Sequence, residues 1–187
     1  MNFILRQLSI EDKDQIYDLM MRRYIQLSKS PVQSRNNENV QEQFDLFINE
    51  HMHFEWVDGL PNEVNKGRAF GAFEGDELMV VLTQKFSTTR MPSWYVGNMI
   101  SCPSLKGYKK VAEYTAKLLD MAVEDAEKYG YTQFYWVTAT KAWNKREQLW
   151  YNYSDTFKRY NVFIENVIPA NTEPKFDYEK VITGYRK

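Results

Sequence analysis

The 187-residue chain contains one cysteine, Cys102, and two histidines, His51 and His53. A lone cysteine excludes an internal disulfide framework and a cysteine-based zinc site. Two histidines exclude a His-rich metal site, so no metal is expected. No stretch approaches about 18 uninterrupted apolar residues, so no membrane-spanning segment is expected. Residues Met1 to Gln7 carry neither a long apolar run nor a small-residue cleavage site, and they are not expected to be a signal peptide. The expected location is a reducing one, the cytoplasm. An excess of charge is also missing. Lys and Arg total 24 against 25 Asp and Glu, a formal net charge of -1. There is no global positive field to steer the chain onto nucleic acid or anionic lipid, so neither partner is expected. A local basic patch is still compatible with that balance.

What is present is an ordinary globular balance, with 43% hydrophobic and 26% charged residues. The length suits one domain with a real core, and a single domain over 1–187 is expected. Aromatics are abundant at 16%, with 13 Tyr, 11 Phe and 5 Trp. Base stacking and an aromatic-rich core both use such residues. Stacking usually comes with a basic groove, so the core is the better account here.

Residues 3 to 8 read as a short strand. Ser9 has the chemistry of a helix N-cap, with Asp12 in a capping-box position. Glu11 and Asp12 are therefore expected to cap and not to catalyse. Ile16, Leu19, Met20, Tyr24 and Leu27 follow at helical spacing. Residues 28 to 39 are polar, contain Pro31, and read as a loop. A second helical pattern covers 40 to 53. The clearest hairpin pairs Ala69–Phe73 with Leu78–Phe86 across Glu74-Gly75-Asp76-Glu77.

A strand is expected over Trp94–Ser101, then a long helix over Lys109–Tyr129 that Gly130 stops. Val111, Thr115, Leu118, Ala122, Ala126 and Tyr129 share its apolar face. Glu113, Lys117, Asp120, Glu124 and Glu127 are expected on the solvent face. Gln133–Thr138 reads as a buried strand, and a helix is expected from Asn144 to about Arg159. Strands over Asn161–Ile168 and Phe176–Ile182 close the chain. The strand-helix-strand step at 94 to 138 implies a parallel pair, and the hairpin implies antiparallel neighbours. The expected fold is α/β, a mixed sheet flanked by helices.

The segment Ile100 to Ala112 carries the chemistry. It joins a strand to the long helix, and a helix N-terminus offers unpaired N–H groups and a positive dipole end to phosphate. Lys106, Lys109 and Lys110 add charge there. A solvated turn with the lysines facing water explains the same residues, and from the residues alone it is slightly ahead.

This segment resembles the acetyl-CoA motif of the GNAT superfamily of N-acetyltransferases, Val-x-Pro-x-x-Arg-Gly-x-Gly-x-Gly/Ala. Pro103, Lys106 (for Arg) and Gly107 fit it, and so does the order of elements along nearly the whole chain. A second family motif, Asn-x-x-Ala-x-x-(apolar)-Tyr, is similar to Asn144 through Tyr151, with Glu147 where the family has Ala. Asn144 and Tyr151 are seven residues apart and share one helix face. Read from the residues alone, Tyr151 serves equally well as a core aromatic. The departures are Lys109 and Val111, where the family has small residues, and Asn152-Tyr153-Ser154-Asp155 in place of Lys-x-Gly-Phe. Gly97 lies inside its strand, where a glycine marks a bulge or a close approach. The family has a bulge there that splays two parallel strands and admits the pantetheine arm.

The resemblance implies a GNAT-like N-acyltransferase fold with acetyl-CoA as co-substrate. Met99, Ile100, Ser101, Lys106, Gly107, Tyr108, Lys109, Lys110, Val111 and Asn144 would contact the co-substrate. Backbone N–H groups near Met99–Ser101 would polarise the thioester carbonyl, and Tyr151 would protonate the departing thiolate. His53 and Glu55 are the candidate bases, although His51 and His53 read more simply as surface residues. The acceptor would be a small-molecule or peptide amine, and the fold is compatible with a homodimer. A rival of another class is a catalytically inactive GNAT-fold binding or assembly module.

Overall fold

The apolar runs become seven strands of one mixed sheet in the computed structural model, which describes residues 3–28, 40–57, 60–61, 67–86, 93–105, 108–139, 149–150, 152–167 and 179–187. In chain order these elements are β1 (Phe3–Gln7), α1 (Lys13–Ser28), α2 (Val40–His51), β2 (Trp56–Val57), β3 (Leu60–Pro61), β4 (Gly67–Glu74), β5 (Glu77–Phe86), β6 (Ser93–Ser101), α3 (Tyr108–Lys128), β7 (Gln133–Ala139), α4 (Thr156–Arg159), β8 (Tyr160–Val167) and β9 (Glu179–Arg186). The large sheet runs β1-β4-β5-β6-β7-β9-β8, and β2 with β3 forms a separate two-stranded ladder. Every neighbouring pair is antiparallel except β6 with β7, which are parallel. α3 is the connection that parallel strands require.

Local chemistry explains the boundaries. Ser9 caps a short 3-10 turn, Ile10–Asp12, with the reciprocal capping box in place. Asp12 also accepts two hydrogen bonds from the Arg6 guanidinium, at 2.6 and 2.7 Å. The β4–β5 hairpin turns at Gly75, whose φ of +61° suits glycine. Gly130 ends α3 with φ +82°.

The register shows which helix covers which face. Arg68 and Gln84 are directly opposed across β4 and β5, and both side chains reach Asp125 on α3, at 2.6 and 2.9 Å. The next opposed pair, Gly67 and Lys85, meets α2 instead. Lys85 pairs with Glu50 at 2.5 Å, and a Cβ at Gly67 would collide with the His51 ring and the Glu50 carbonyl. So α3 covers one face of the sheet and α2, packed beside α1, covers the other. β5 lies between them, with Val80 through Gln84 all buried. The aromatic abundance goes into this core, as in the Phe86–Tyr131 and Phe54–Phe86 contacts at 4.9 and 5.2 Å.

Four expectations change. The segment after α2 carries a small β2–β3 ladder, Trp56–Val57 against Leu60–Pro61, which the sequence reading did not include. The last strand lies further along, at Glu179–Arg186. Asp120, expected in solvent, is buried. The helix expected to run unbroken to Arg159 is interrupted. Residues 149–150 and 152–153 are helical, Ser154 and Asp155 are not, and α4 starts afresh at Thr156. The last two changes have one cause, set out below. The loop expected at 28–39 lies almost entirely outside the described residues.

Candidate functional site

β6 and β7 are paired only over three residues, Ser93 to Tyr95 against Gln133 to Tyr135. Beyond them β7 continues on β9 and β6 continues on β5, so the two parallel strands part. The cause lies in the β5–β6 register. Leu82 faces Met99, but Gln84 faces Val96, so Gly97 and Asn98 together oppose the single residue Thr83. This is a bulge of one extra residue at the glycine, which bends the strand and increases its twist. Past it, the β7-side edge of β6 through Met99, Ile100 and Ser101 has no ladder partner among the described residues. That edge offers backbone N–H and C=O groups to whatever enters the opening.

At the end of β6 the chain is fixed by a turn. Cys102 N–H donates to the Met79 carbonyl at 2.7 Å, and Leu105 N–H closes back on the Cys102 carbonyl at 3.1 Å. Pro103 therefore occupies the second position of a four-residue turn, where its fixed φ is favoured. Cys102 is buried, with its Sγ 3.0 Å from Ser104 Oγ. The turn leads towards the N-terminus of α3. Lys106 and Gly107 lie outside the described residues, and α3 opens with Tyr108.

The basic residues on α3 divide. Lys109 is exposed. Lys110 is half-buried and pairs with Glu74 at the end of β4. Glu74 also accepts from the buried Tyr114 hydroxyl, and Lys110 followed by Tyr114 holds its carboxyl below the usual range. Burial and the same carboxylate push the Tyr114 phenol up. Val111 is half-buried and its carbonyl accepts from Thr115 Oγ1 at 2.8 Å.

A carboxylate on α3 organises the chain on the far side of the opening. Asp120 accepts from Ser154 Oγ at 2.6 Å, from the N–H groups of Asp155 and Thr156 at 3.1 and 2.9 Å, and from Thr156 Oγ1 at 2.8 Å. These bonds turn the chain out of its helix at Ser154 and begin α4. One turn away on α3, Thr115 Oγ1 accepts from the buried Trp150 Nε1 at 3.1 Å. Trp150 and residues 154 to 156, which bracket Tyr151 in sequence, are thus tied to α3. Asn144 and Tyr151 themselves lie outside the described residues. Asp120 was missed because helical spacing alone puts it with the solvent-facing charges. The hydroxyls of Ser154 and Thr156 were the available signal.

The candidate bases are elsewhere. His53 and Glu55 are exposed on either side of Phe54. Phe54 stacks on Phe86 at 5.2 Å and on Tyr129 at 5.8 Å, at the end of β5 and just past the end of α3. The opening lies towards the other end of α3, a helix of 21 residues, about 30 Å long. The structure does not bring His53 or Glu55 to Met99–Ser101. His51, expected at the surface, is buried beside Phe47 and Gly67. No group of three or more His, Cys, Asp or Glu among the described residues is placed to hold a metal.

Neither a protein-family model nor a curated protein matches the sequence. Solved structures do match the fold over its full length. An acetyltransferase of the GNAT family from Streptococcus pneumoniae aligns with a TM-score of 0.63 at 11% identity, covering 100% of both chains. The PaiA N-acetyltransferase of Thermoplasma acidophilum, in complex with coenzyme A, aligns at 0.60 and 12%, covering 99% of each. The fold is that of the GNAT N-acetyltransferases. An aminoglycoside 6'-acetyltransferase type Ii aligns at 0.64 and 13%, covering 97% of this chain and 96% of that one. Identities this low carry the GNAT fold and not its motifs, which have to be judged residue by residue.

Proposed function

We propose that this protein is an N-acetyltransferase that takes acetyl-CoA as co-substrate and passes the acetyl group directly to an amine. The observation that supports this most is the glycine bulge in β6 and the parting of β6 from β7 beyond Tyr95. It leaves a backbone edge with no ladder partner among the described residues, beside a turn that leads to the N-terminus of a long helix. A pantetheine arm needs such an edge, and a pyrophosphate needs such a helix end.

In this reading the backbone of Met99, Ile100 and Ser101 lies along the pantetheine and polarises the thioester carbonyl. Lys106, Gly107, Tyr108, Lys109 and Val111 surround the pyrophosphate, and the exposed Lys109 supplies charge in place of the close backbone approach that glycine allows. Lys110 joins them only by leaving Glu74. Asn144 contacts the co-substrate. The amine attacks the thioester carbon, the C–S bond breaks, and Tyr151 protonates the leaving thiolate. With His53 and Glu55 at the other end of α3, the ammonium loses its proton to water. The acceptor is a small-molecule or peptide amine, and the aminoglycoside enzyme of the same fold makes an aminoglycoside one member of the test set.

The test is release of free thiol from acetyl-CoA in the presence of a polyamine, an aminoglycoside, a peptide N-terminus and a lysine side chain. With the best acceptor, Tyr151→Phe is expected to lower kcat about a hundredfold with little change in the KM for acetyl-CoA. Unchanged turnover in that variant removes Tyr151 from the mechanism. The pairing of Lys110 with Glu74 favours one rival reading, a GNAT-fold module that binds without catalysing. Acetyl-CoA binding with no turnover on any acceptor is the outcome that selects it.

A further inference from the structure

Arg22 on α1 joins three parts of the chain that are distant in sequence. Its Nη1 lies 3.4 Å from Cys102 Sγ and pairs with Glu77 at the start of β5, while Nη2 pairs with Asp18 at 2.7 Å. Its Nε is buried with no hydrogen-bond partner among the described residues. Arg22 also lines a surface groove of about 690 Å³ whose other charged groups are acidic, among them Asp14, Asp18 and Asp76. Both carboxylates are exposed, so the pairs orient the planar guanidinium more than they stabilise the fold. What it touches third is the first residue after β6. Cys102 opens the four-residue turn that ends at Leu105, and only Lys106 and Gly107 separate that turn from α3.

We infer that Arg22 is a positioning residue. It clamps the Cys102–Leu105 turn onto α1 and the β4–β5 hairpin, and so sets where the α3 N-terminus stands for the pyrophosphate of acetyl-CoA. The inference rests on the acetyl-CoA reading above and adds to it a residue that lies outside both motifs. A lysine cannot replace this group. It has the charge and three donors, but its compact ammonium lacks the planar fork that reaches Asp18, Glu77 and Cys102 together.

Because Cys102 is the sole cysteine and is buried, its thiol reports directly on whether the turn is closed. The experiment compares the native protein with Arg22→Ala, Arg22→Lys, Glu77→Gln and Arg6→Ala. It measures acetyl-CoA affinity by titration and the rate at which a small disulfide reagent modifies Cys102. Arg6→Ala is the control, since it also removes a two-pronged Arg–Asp contact but one that does not touch the turn. In both Arg22 variants the thiol is expected to react about tenfold faster and acetyl-CoA to bind about tenfold more weakly. Acetyl-CoA protects Cys102 in the native protein and fails to do so in Arg22→Ala. Glu77→Gln gives a smaller change of the same kind, and it keeps the test available if an Arg22 variant does not fold. Arg6→Ala matches the native protein in both readouts. Native-like affinity and thiol reactivity in folded Arg22 variants overturn the clamp while the acetyl-CoA reading stands. Absence of acetyl-CoA binding in the native protein overturns both.

Discussion

Asp120→Ala is expected to destabilise the protein by about 4 kcal/mol and to lower its unfolding temperature by roughly 8–16 °C. The carboxylate serves two hydroxyls and two backbone N–H groups of residues 154 to 156, and Ser154 and Thr156 are fully buried. Truncation leaves these donors facing a cavity. Stranding a buried donor costs more than its hydrogen bond contributes when made. Asp120→Asn keeps one acceptor oxygen, and its loss should be about half as large. The effect extends to function, because the same contact holds the chain on the C-terminal side of Tyr151 against α3. Turnover of Asp120→Asn, measured well below its unfolding temperature, should therefore fall while acetyl-CoA affinity stays near native. Chemical denaturation of the three proteins checks the first part. A loss under 1 kcal/mol in the Ala variant would mean that water replaces the carboxylate.

Acid should weaken the fold from about pH 6.5 downward, through His51. Burial, and then the nearby Lys85 charge, hold the His51 pKa down to about 4 against an ordinary 6.5. Glu50 and a backbone contact with Gln84 oppose this only in part. The folded protein thus keeps His51 neutral where the unfolded chain protonates it. Stability is complete above pH 6.5 and falls as pH drops from 6.5 towards 4, because the unfolded state binds the extra proton. The whole window amounts to about 3 kcal/mol, of which about 1.5 falls between pH 6.5 and 5. Asp12 and Glu74, whose carboxyls are held below their ordinary values, add losses only at lower pH. Unfolding midpoints at pH 6.5 and 5 should therefore differ by roughly 3–6 °C in the native protein and much less in His51→Gln. Equal slopes in the two proteins would show that His51 is accessible to protons in the folded state.

Features that depend on neighbours in sequence were legible. The hairpin follows from two apolar runs on either side of Gly75, and the end of α3 from Gly130. The bulge in β6 was signalled by Gly97. These residues act through their own backbone freedom, which is a local property. The features that were not legible depend on distant parts of the chain. Nothing in Trp150 to Asp155 requires a helix to stop at Ser154. The requirement comes from Asp120, over thirty residues earlier, whose position on the polar face of α3 looks the same as that of Glu124. Lys110 reads as a phosphate ligand until Glu74 is found beside it. His51 reads as a surface residue until the side-chain gap at Gly67 admits its ring. Arg22 carries no motif at all, and its role rests on where α1 crosses the end of β6.

Thermal unfolding with and without acetyl-CoA, with ATP as a polyanion control, tests most directly whether the opening between β6 and β7 is a co-substrate site. Saturation at about 100 times the dissociation constant stabilises a fold by about 2.7 kcal/mol, which for a chain of this size is a rise of roughly 5–10 °C. A rise of that order with acetyl-CoA and none with ATP is the expected result. No rise at millimolar acetyl-CoA would contradict the account and mean that Lys109 and Val111 close the site that the bulge at Gly97 opens.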